Sequence, residues 1–375
     1  ELLDRYQSAT PNQWSANGRQ PWLTEQQRRI ERQEIGETLF WLAESSRRIA
    51  SRADQGMKRD LLDQCMSDNE TAARFLGDAA ALGIQLQRAK ILDDQDNTDS
   101  ARELSASFKT QLPQSATDLL MATQLMQSSP VSVGLAEQLV EKDGRNHAAW
   151  MAAGSAFWIH GQKERGLACF QMAVSLNPEN SHAHWLLGRT KFDMGDLPGA
   201  IQSYRNIDRQ DPAWLVSLMN LGIAQLEMGQ YREAASTFTE AIDAGAINSR
   251  VWYLRADALF MLGQQADAQK DLAIFMRKTP CDEMGYRTRG EQFVPDKPQK
   301  AIADFKEALK HNPGSATAIQ NISHVYSEVL NDLPQAIHWI EQLVKLDPGK
   351  AIYRTYRGVL NARDGDRESD LKDDE

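Results

Sequence analysis

Cysteine is scarce in this chain: Cys65, Cys169 and Cys281 are the three in 375 residues. They are odd in number and far apart, so no paired-cysteine metal spacing exists. Cys169, beside Phe170, reads as a small buried hydrophobe. Histidine is hardly more abundant, at seven. His182 and His184 are two apart, which on a helix points them about 200° from one another, poor geometry for sharing a metal. His147, His160, His311, His324 and His338 are scattered, so no metal and no cofactor is expected. No run of about 18 apolar residues occurs, so no membrane span is expected in this stretch. No alternating apolar pattern competes with helix anywhere, and the fold class is read as all-α. A phosphate-cradling Gly-rich loop, a His-Glu-x-x-His helix, a Gly-x-Ser-x-Gly elbow and a kinase catalytic loop are all missing, so no catalytic residue is assigned. Positive charge is in deficit. Lys and Arg number 42 against 52 Asp and Glu, net −10, which argues against general nucleic-acid binding. No secretory signal is visible. Asp and Glu pairs on exposed second-helix faces read as solvated surface.

What the sequence has is a beat. Pro178, Pro212, Ala246, Pro280, Pro313 and Pro348 follow one another at steps of 34, 34, 34, 33 and 35 residues. Gly161, Gly195, Gly229 and Gly263 keep the same step, each placed where a left-handed residue would close a first helix. Gly154, Gly188 and Gly222 fall mid-helix, where glycine costs about 1 kcal/mol against alanine. That cost is tolerated where a neighbouring helix comes close, and Ala200, Ala234 and Ala268 are expected to supply the small opposing surface. Trp150, Phe157, Phe170, Tyr204, Phe238 and Trp252 would fill the wider gaps. The unit ending at Pro313 is one residue short near 294–298, and the unit ending at Pro348 one residue long. Asp196–Ile201 and Asp332–Ile337 are near copies four periods apart, each with proline at the start of a second helix.

A Trp, a Leu-Gly pair, an aromatic, a second-helix Ala, another aromatic, an Ala and a closing Pro, recurring in phase, resemble the tetratricopeptide (TPR) repeat. The resemblance implies a TPR α-solenoid, a right-handed superhelix of antiparallel helix pairs. It organises the chain as an N-terminal helical region with degenerate repeats over 1–112 and a TPR array over 113–363. The clear repeats cover 147–180, 181–214, 215–248, 249–282, 283–315 and 316–350, with a half repeat at 351–363. Residues 364–375, with seven acids and two bases, form an acidic tail read as a solvated, frayed end. Thr24 with Gln27 forms a capping-box pattern that would open a long helix with Ile35, Leu39, Leu42 and Ile49 near one face. Residues 70–110 read as a helical hairpin turning at Asp93–Asp99, residues 113–146 as a weak repeat, and residues 1–23 as an irregular lead-in. The start at Glu1 and the end within a repeat lead us to expect a piece of a longer protein.

Such stacks hold other chains on the surface lined by their first helices, at repeat positions two, five, six, nine and twelve. Here these give Trp185 and Arg189, then Asn220, then Arg250 and Tyr253. Next come Arg287 and Glu291, then Gln320, Asn321 and His324. Arg189, Asn220 and Arg250 resemble part of the carboxylate clamp of chaperone-binding TPR proteins, which grips a peptide C-terminus by charge-assisted hydrogen bonds. Trp185 and Leu254 stand where that clamp has basic residues.

A finer likeness lies in the stretch Asp243 to Ala256, in Gly290, in Lys300 to Leu309 and in Ala318 to Val325. This order resembles the C-terminal arrays of a family of bacterial serine/threonine protein kinases. The likeness implies a non-catalytic docking region for a protein or peptide, with any kinase activity in a part this chain lacks. The rival readings are the TPR arm of another enzyme, such as a transferase, and a structural assembly scaffold. The sequence leaves localisation open, either cytoplasmic or tethered to a membrane through another segment.

Overall fold

The computed structural model describes residues 24–51, 53–107, 112, 113 and 115–373; the expected lead-in over 1–23 lies outside them. The described residues are helical and contain no strand. They divide into two compact units, Glu1–Asp196 and Leu197–Glu375.

In the first unit, α1 (Glu25–Ala50) opens on the capping box read from sequence. The Gln27 N–H donates to Thr24 Oγ1 at 3.2 Å and the Thr24 N–H to Gln27 Oε1 at 2.8 Å. Its buried face is carried by Leu39, Phe40, Ala43 and Ala50, while Ile49, expected on that face, is exposed. Helix α2 (Gln55–Leu76) packs along it and starts on Asp54, whose carboxylate accepts from the Met57 N–H. The hairpin expected over 70–110 is interrupted earlier than read: Gly77, at φ +54°, ends α2. A short 3₁₀ turn then leads into α3 (Ala81–Asp94), and α4 (Thr98–Ser107) follows the expected turn. Next come α5 (Ala116–Leu125), α6 (Val131–Lys142), α7 (His147–Ile159), α8 (Lys163–Leu176) and α9 (Ser181–Asp193).

Among α1, α2 and α3 lies a buried polar seam. Asn69 donates to the Ile84 carbonyl and to Gln87, and Gln87 donates to the Phe40 carbonyl, each within 3.0 Å. Glu44 is buried there against Arg47 at 2.9 Å and Arg48 at 3.0 Å. Burial pushes its carboxyl upward, but the two guanidinium groups outweigh that and hold it below its ordinary 4.5. A depressed carboxylate stabilises the fold above its unfolded pKa, and the contribution is lost as pH falls through the folded value. The urea midpoint of the wild type should therefore exceed that of Glu44→Gln at pH 7, and the gap should close as pH falls below about 4.

The second unit comprises α10 (Leu197–Arg205), α11 (Ala213–Glu227), α12 (Tyr231–Asp243), α13 (Arg250–Met261), α14 (Gln265–Arg277), α15 (Glu283–Phe293), α16 (Pro298–His311), α17 (Ala316–His324), α18 (Leu333–Leu346) and α19 (Ala351–Asp373). Helix α19 stays helical well past Arg363, where the half repeat was expected to stop; no proline interrupts it. Side-chain caps recur with the beat. Asn146, Asn180, Asp282 and Ser315 each accept a backbone N–H from the first turn of the helix they precede.

The beat's punctuation has a backbone cause. Gly161, Gly195, Gly229 and Gly263 take φ of +76°, +83°, +72° and +76°, a region from which L side chains are largely excluded. The short fifth turn has no positive-φ residue; there the Lys297 N–H closes directly on the Phe293 carbonyl at 2.8 Å. The extra residue of the sixth repeat is absorbed by a π turn over Val325–Val329, where the Leu330 N–H reaches back five residues to Val325 O at 3.0 Å. Asn331, at φ +52°, then stands where the other turns have glycine.

Inside each helix pair the close approach differs from the one expected. The atoms facing the mid-helix glycines are ring atoms. A Cβ on Gly154 would lie 2.6 Å from the Phe170 ring, on Gly222 2.4 Å from Phe238, and on Gly290 2.6 Å from Phe305. These rings are among the largest fully buried side chains. Each glycine is thus a socket for the aromatic of the same repeat's second helix, a role given at sequence level to the second-helix alanines.

Two charged pairs join the helices of a hairpin, one across α13 and α14 and one across α15 and α16. Arg255 holds Asp271 through two bonds, Nε–Oδ2 at 2.6 Å and Nη2–Oδ1 at 2.7 Å. Arg289 holds Asp304 in the same way, at 2.7 Å for both. Asp271 and Asp304 are buried, unlike the acids on exposed second-helix faces that read as solvated surface.

Candidate functional site on the first-helix face

In the first unit, α7 and α9 bring an aromatic and basic group together. Trp185 is half-buried and stacks on His182, ring centroids 5.9 Å apart and planes within 10°. Its indole N–H is buried and has no hydrogen-bond partner among the described residues, and the same holds for Trp158. The Arg189 guanidinium lies 5.7 Å from the Trp158 ring and its Nε is 3.3 Å from Asp193. Arg189 is therefore already engaged on its own helix. His184 is buried with Nε2 2.9 Å from the Pro178 carbonyl, a structural role. Trp158 was missed at sequence level although it occupies position twelve of the first clear repeat.

In the second unit, first-helix residues of consecutive repeats converge. Arg287 sits between Glu283 at 3.7 Å and Glu291 at 3.8 Å, and the Asn321 amide donates to Glu291 at 3.1 Å. Tyr253 leans on Phe275, centroids 5.4 Å apart. Burial first, then the Asp257 and Glu291 carboxylates, raise its hydroxyl pKa. Asn220, half-buried on α11, has no hydrogen-bond partner among the described residues. His324 is exposed.

Arg250 is the unusual member. Its guanidinium is half-buried, its Nε is shielded from solvent, and it donates no hydrogen bond among the described residues. Desolvation lowers its pKa; Asp282 and Glu283 act in the opposite direction, and Arg287 adds to the lowering. Neither acid hydrogen-bonds it, and both bond elsewhere. The two Asp282 oxygens accept from the Gly285 N–H and the Asn248 amide, both at 2.6 Å. Glu283 accepts from Ser315 at 2.7 Å and lies against Arg287. An unpaired, partly desolvated arginine is costly to hold and suited to an incoming carboxylate.

Apolar side chains stand exposed on the same first helices: Val216, Phe260 and Met284. Together the face offers a cation for a carboxylate, amides for backbone groups and apolar surface for side chains. Among the described residues no cluster of three or more His, Cys, Asp or Glu could hold a metal, and no helix is long and apolar enough to cross a membrane.

The tetratricopeptide repeat family model matches residues 154–213 and 219–273. Tetratricopeptide repeat protein 6 of Homo sapiens is 28% identical over 202 residues, covering 53% of this chain and 38% of that protein. The tetratricopeptide repeat domain-containing protein PYG7, chloroplastic, of Arabidopsis thaliana is 30% identical over 139 residues, covering 36% of this chain and 42% of that one. The chain thus spans about two fifths of the length of these relatives. A crystal structure of a tetratricopeptide repeat protein from Parabacteroides merdae is similar at 15% identity and a TM-score of 0.46, covering 76% of this chain and 99% of that one.

Proposed function

We propose that this tetratricopeptide-repeat chain is a non-catalytic docking module that holds a protein or peptide partner on its first-helix face. The observation that carries the reading is Arg250, a half-buried guanidinium with no hydrogen-bond partner among the described residues beside acids already engaged elsewhere. In the same unit Asn220, Tyr253, Arg287 and Asn321 extend the contact surface, and Val216, Phe260 and Met284 supply its apolar component; in the first unit Arg189 and the indole N–H groups of Trp158 and Trp185 form a contact group of their own. His324 lies at the edge of that surface. Such modules are used for protein–protein association, and one fold serves unrelated partners.

The test compares partner capture by the wild type with capture by Arg189→Ala/Asn220→Ala/Arg250→Ala. Captured proteins should fall at least tenfold in the triple variant while its thermal melt stays within a few degrees. Identical capture by both would sink the reading. The finer proposal, that the parent protein is a bacterial serine/threonine kinase with this region as its docking or sensing part, rests on the likeness of Asp243–Ala256 and Lys300–Leu309 to such arrays. Reading the parent frame decides it: a Gly-rich loop with catalytic-loop motifs supports a kinase, and any other domain removes it.

A further inference from the structure

The second unit carries a cavity of about 510 Å³ that the first-helix face does not account for. Its walls are α10 and the turn after it, α11 and α12. Helix α10 stops after nine residues, at Arg205, where the second helices α12, α14 and α16 run to 13, 13 and 14. Turn chemistry stops it. Asp208 accepts the Gln210 N–H at 2.8 Å, and Asp211 accepts the Ala213 N–H at 2.7 Å. The missing turn of helix leaves the space open.

The floor is apolar: Tyr204, Ile207, Leu218 and Leu221 are buried, and Trp214 forms a side wall. Gln225 and Thr237 are buried at its end and bonded to each other at 2.8 Å. The rim carries Arg205, Arg209 and Arg232 against Glu233 and Glu240. Arg209 pairs with Glu240 and lies 5.6 Å from the Trp214 ring. Arg205 and Arg232 make no ion pair among the described residues. Leu218, Leu221 and Gln225 share one side of α11, and Asn220 points about 200° from Leu218. The cavity therefore opens on the side of α11 away from the first-helix face.

We infer that this cavity is a second docking site, taking a partner segment that presents one aromatic or branched apolar side chain flanked by carboxylates. Its volume falls within the range of roughly 300–1,000 Å³ typical of ligand pockets. The apolar floor accepts the anchor. Arg205 and Arg232, exposed and unpaired, supply charge complementarity to the flanking acids, which chiefly sets specificity and on-rate. With Glu240 taken up by Arg209, the rim leaves Arg205 and Arg232 against Glu233 alone, a net positive charge.

The probe is a fluorescein-labelled synthetic heptapeptide with phenylalanine at its centre and three alternating Asp and Glu on either side. Its twin carries Asn and Gln instead. By anisotropy with the full chain, the acidic peptide should bind at least tenfold more tightly than the twin, and at least tenfold more tightly than a version with alanine for phenylalanine. Arg205→Glu/Arg232→Glu should weaken it at least tenfold, and so should Ser236→Trp, which fills the cavity from its rim and leaves both arginine charges in place. The Arg189→Ala/Asn220→Ala/Arg250→Ala variant should bind it as the wild type does, which separates this site from the first-helix face. Equal binding of acidic and neutral peptides, no saturable binding at millimolar probe, or indifference to both cavity variants overturns the inference. So does loss of binding in the first-helix triple variant.

Discussion

Asp304→Ala should lower the stability of the Leu197–Glu375 unit by about 3–5 kcal/mol, the cost of removing one partner from a buried ion pair. The carboxylate is 9% exposed and accepts two parallel bonds from Arg289, itself only 15% exposed. Without it the guanidinium keeps its bond to the Lys278 carbonyl at 2.7 Å, but its charge stays in the hairpin uncompensated. The pair as a whole is worth far less than that loss suggests, because both ions were taken out of water to form it. Arg289→Met/Asp304→Leu should therefore sit within about 1–2 kcal/mol of the wild type. Urea unfolding, followed through the transition of this unit, checks both numbers. A single variant as stable as the double would show that the pair is solvated. The Arg255–Asp271 pair, 20% and 6% exposed, should give the same ordering.

These pairs mark the boundary of what the sequence makes legible. The helix-turn-helix beat, the glycines closing four of the first helices and the capping box at Thr24 are local, set within a few residues, and all are readable before any packing is known. The Arg–Asp pairs join two helices across 16 and 15 residues, and the three preceding repeats put Ala153 and Cys169, Leu187 and Ser203, or Leu221 and Thr237 at the matching places. A reading that averages repeats dilutes that signal. The same averaging hid the early end of α10, because its repeat keeps a regular length while Asp208 and Asp211 convert helix into turn. For the candidate site, phase placed Trp185, Arg250, Tyr253, Arg287 and Asn321 on first helices. It did not show that Asp193 engages Arg189, or that Asp282 and Glu283 are taken up by Asn248, Gly285 and Ser315 so that Arg250 is left over. Those are competitions for hydrogen bonds, settled by distances that spacing does not contain.

One substitution at two mid-helix glycines should have opposite signs. Gly134, in α6, has nothing within 4 Å of where a Cβ would go. Gly134→Ala should raise stability by up to about 1 kcal/mol through helix propensity alone. Gly222, in α11, has the Phe238 ring 2.4, 2.6 and 2.9 Å from that position, and Phe238 is fully buried and has nowhere to swing. There the same propensity gain is set against overpacking of about 1–3 kcal/mol. Gly222→Ala should be destabilising, and Gly222→Val, with two further atoms driven into the ring, should cost about 3 kcal/mol or more. Strain at this socket has a specific remedy: shrinking the ring should relieve it. Phe238→Leu alone removes packing and destabilises, yet Gly222→Ala/Phe238→Leu should be more stable than the sum of the two single effects predicts. That non-additivity, of the 0.5–3 kcal/mol order seen for touching residues, is read from the urea midpoints of the four proteins. Strict additivity would mean that glycine and ring do not meet, and the aromatic-in-socket account of these hairpins would fail with it.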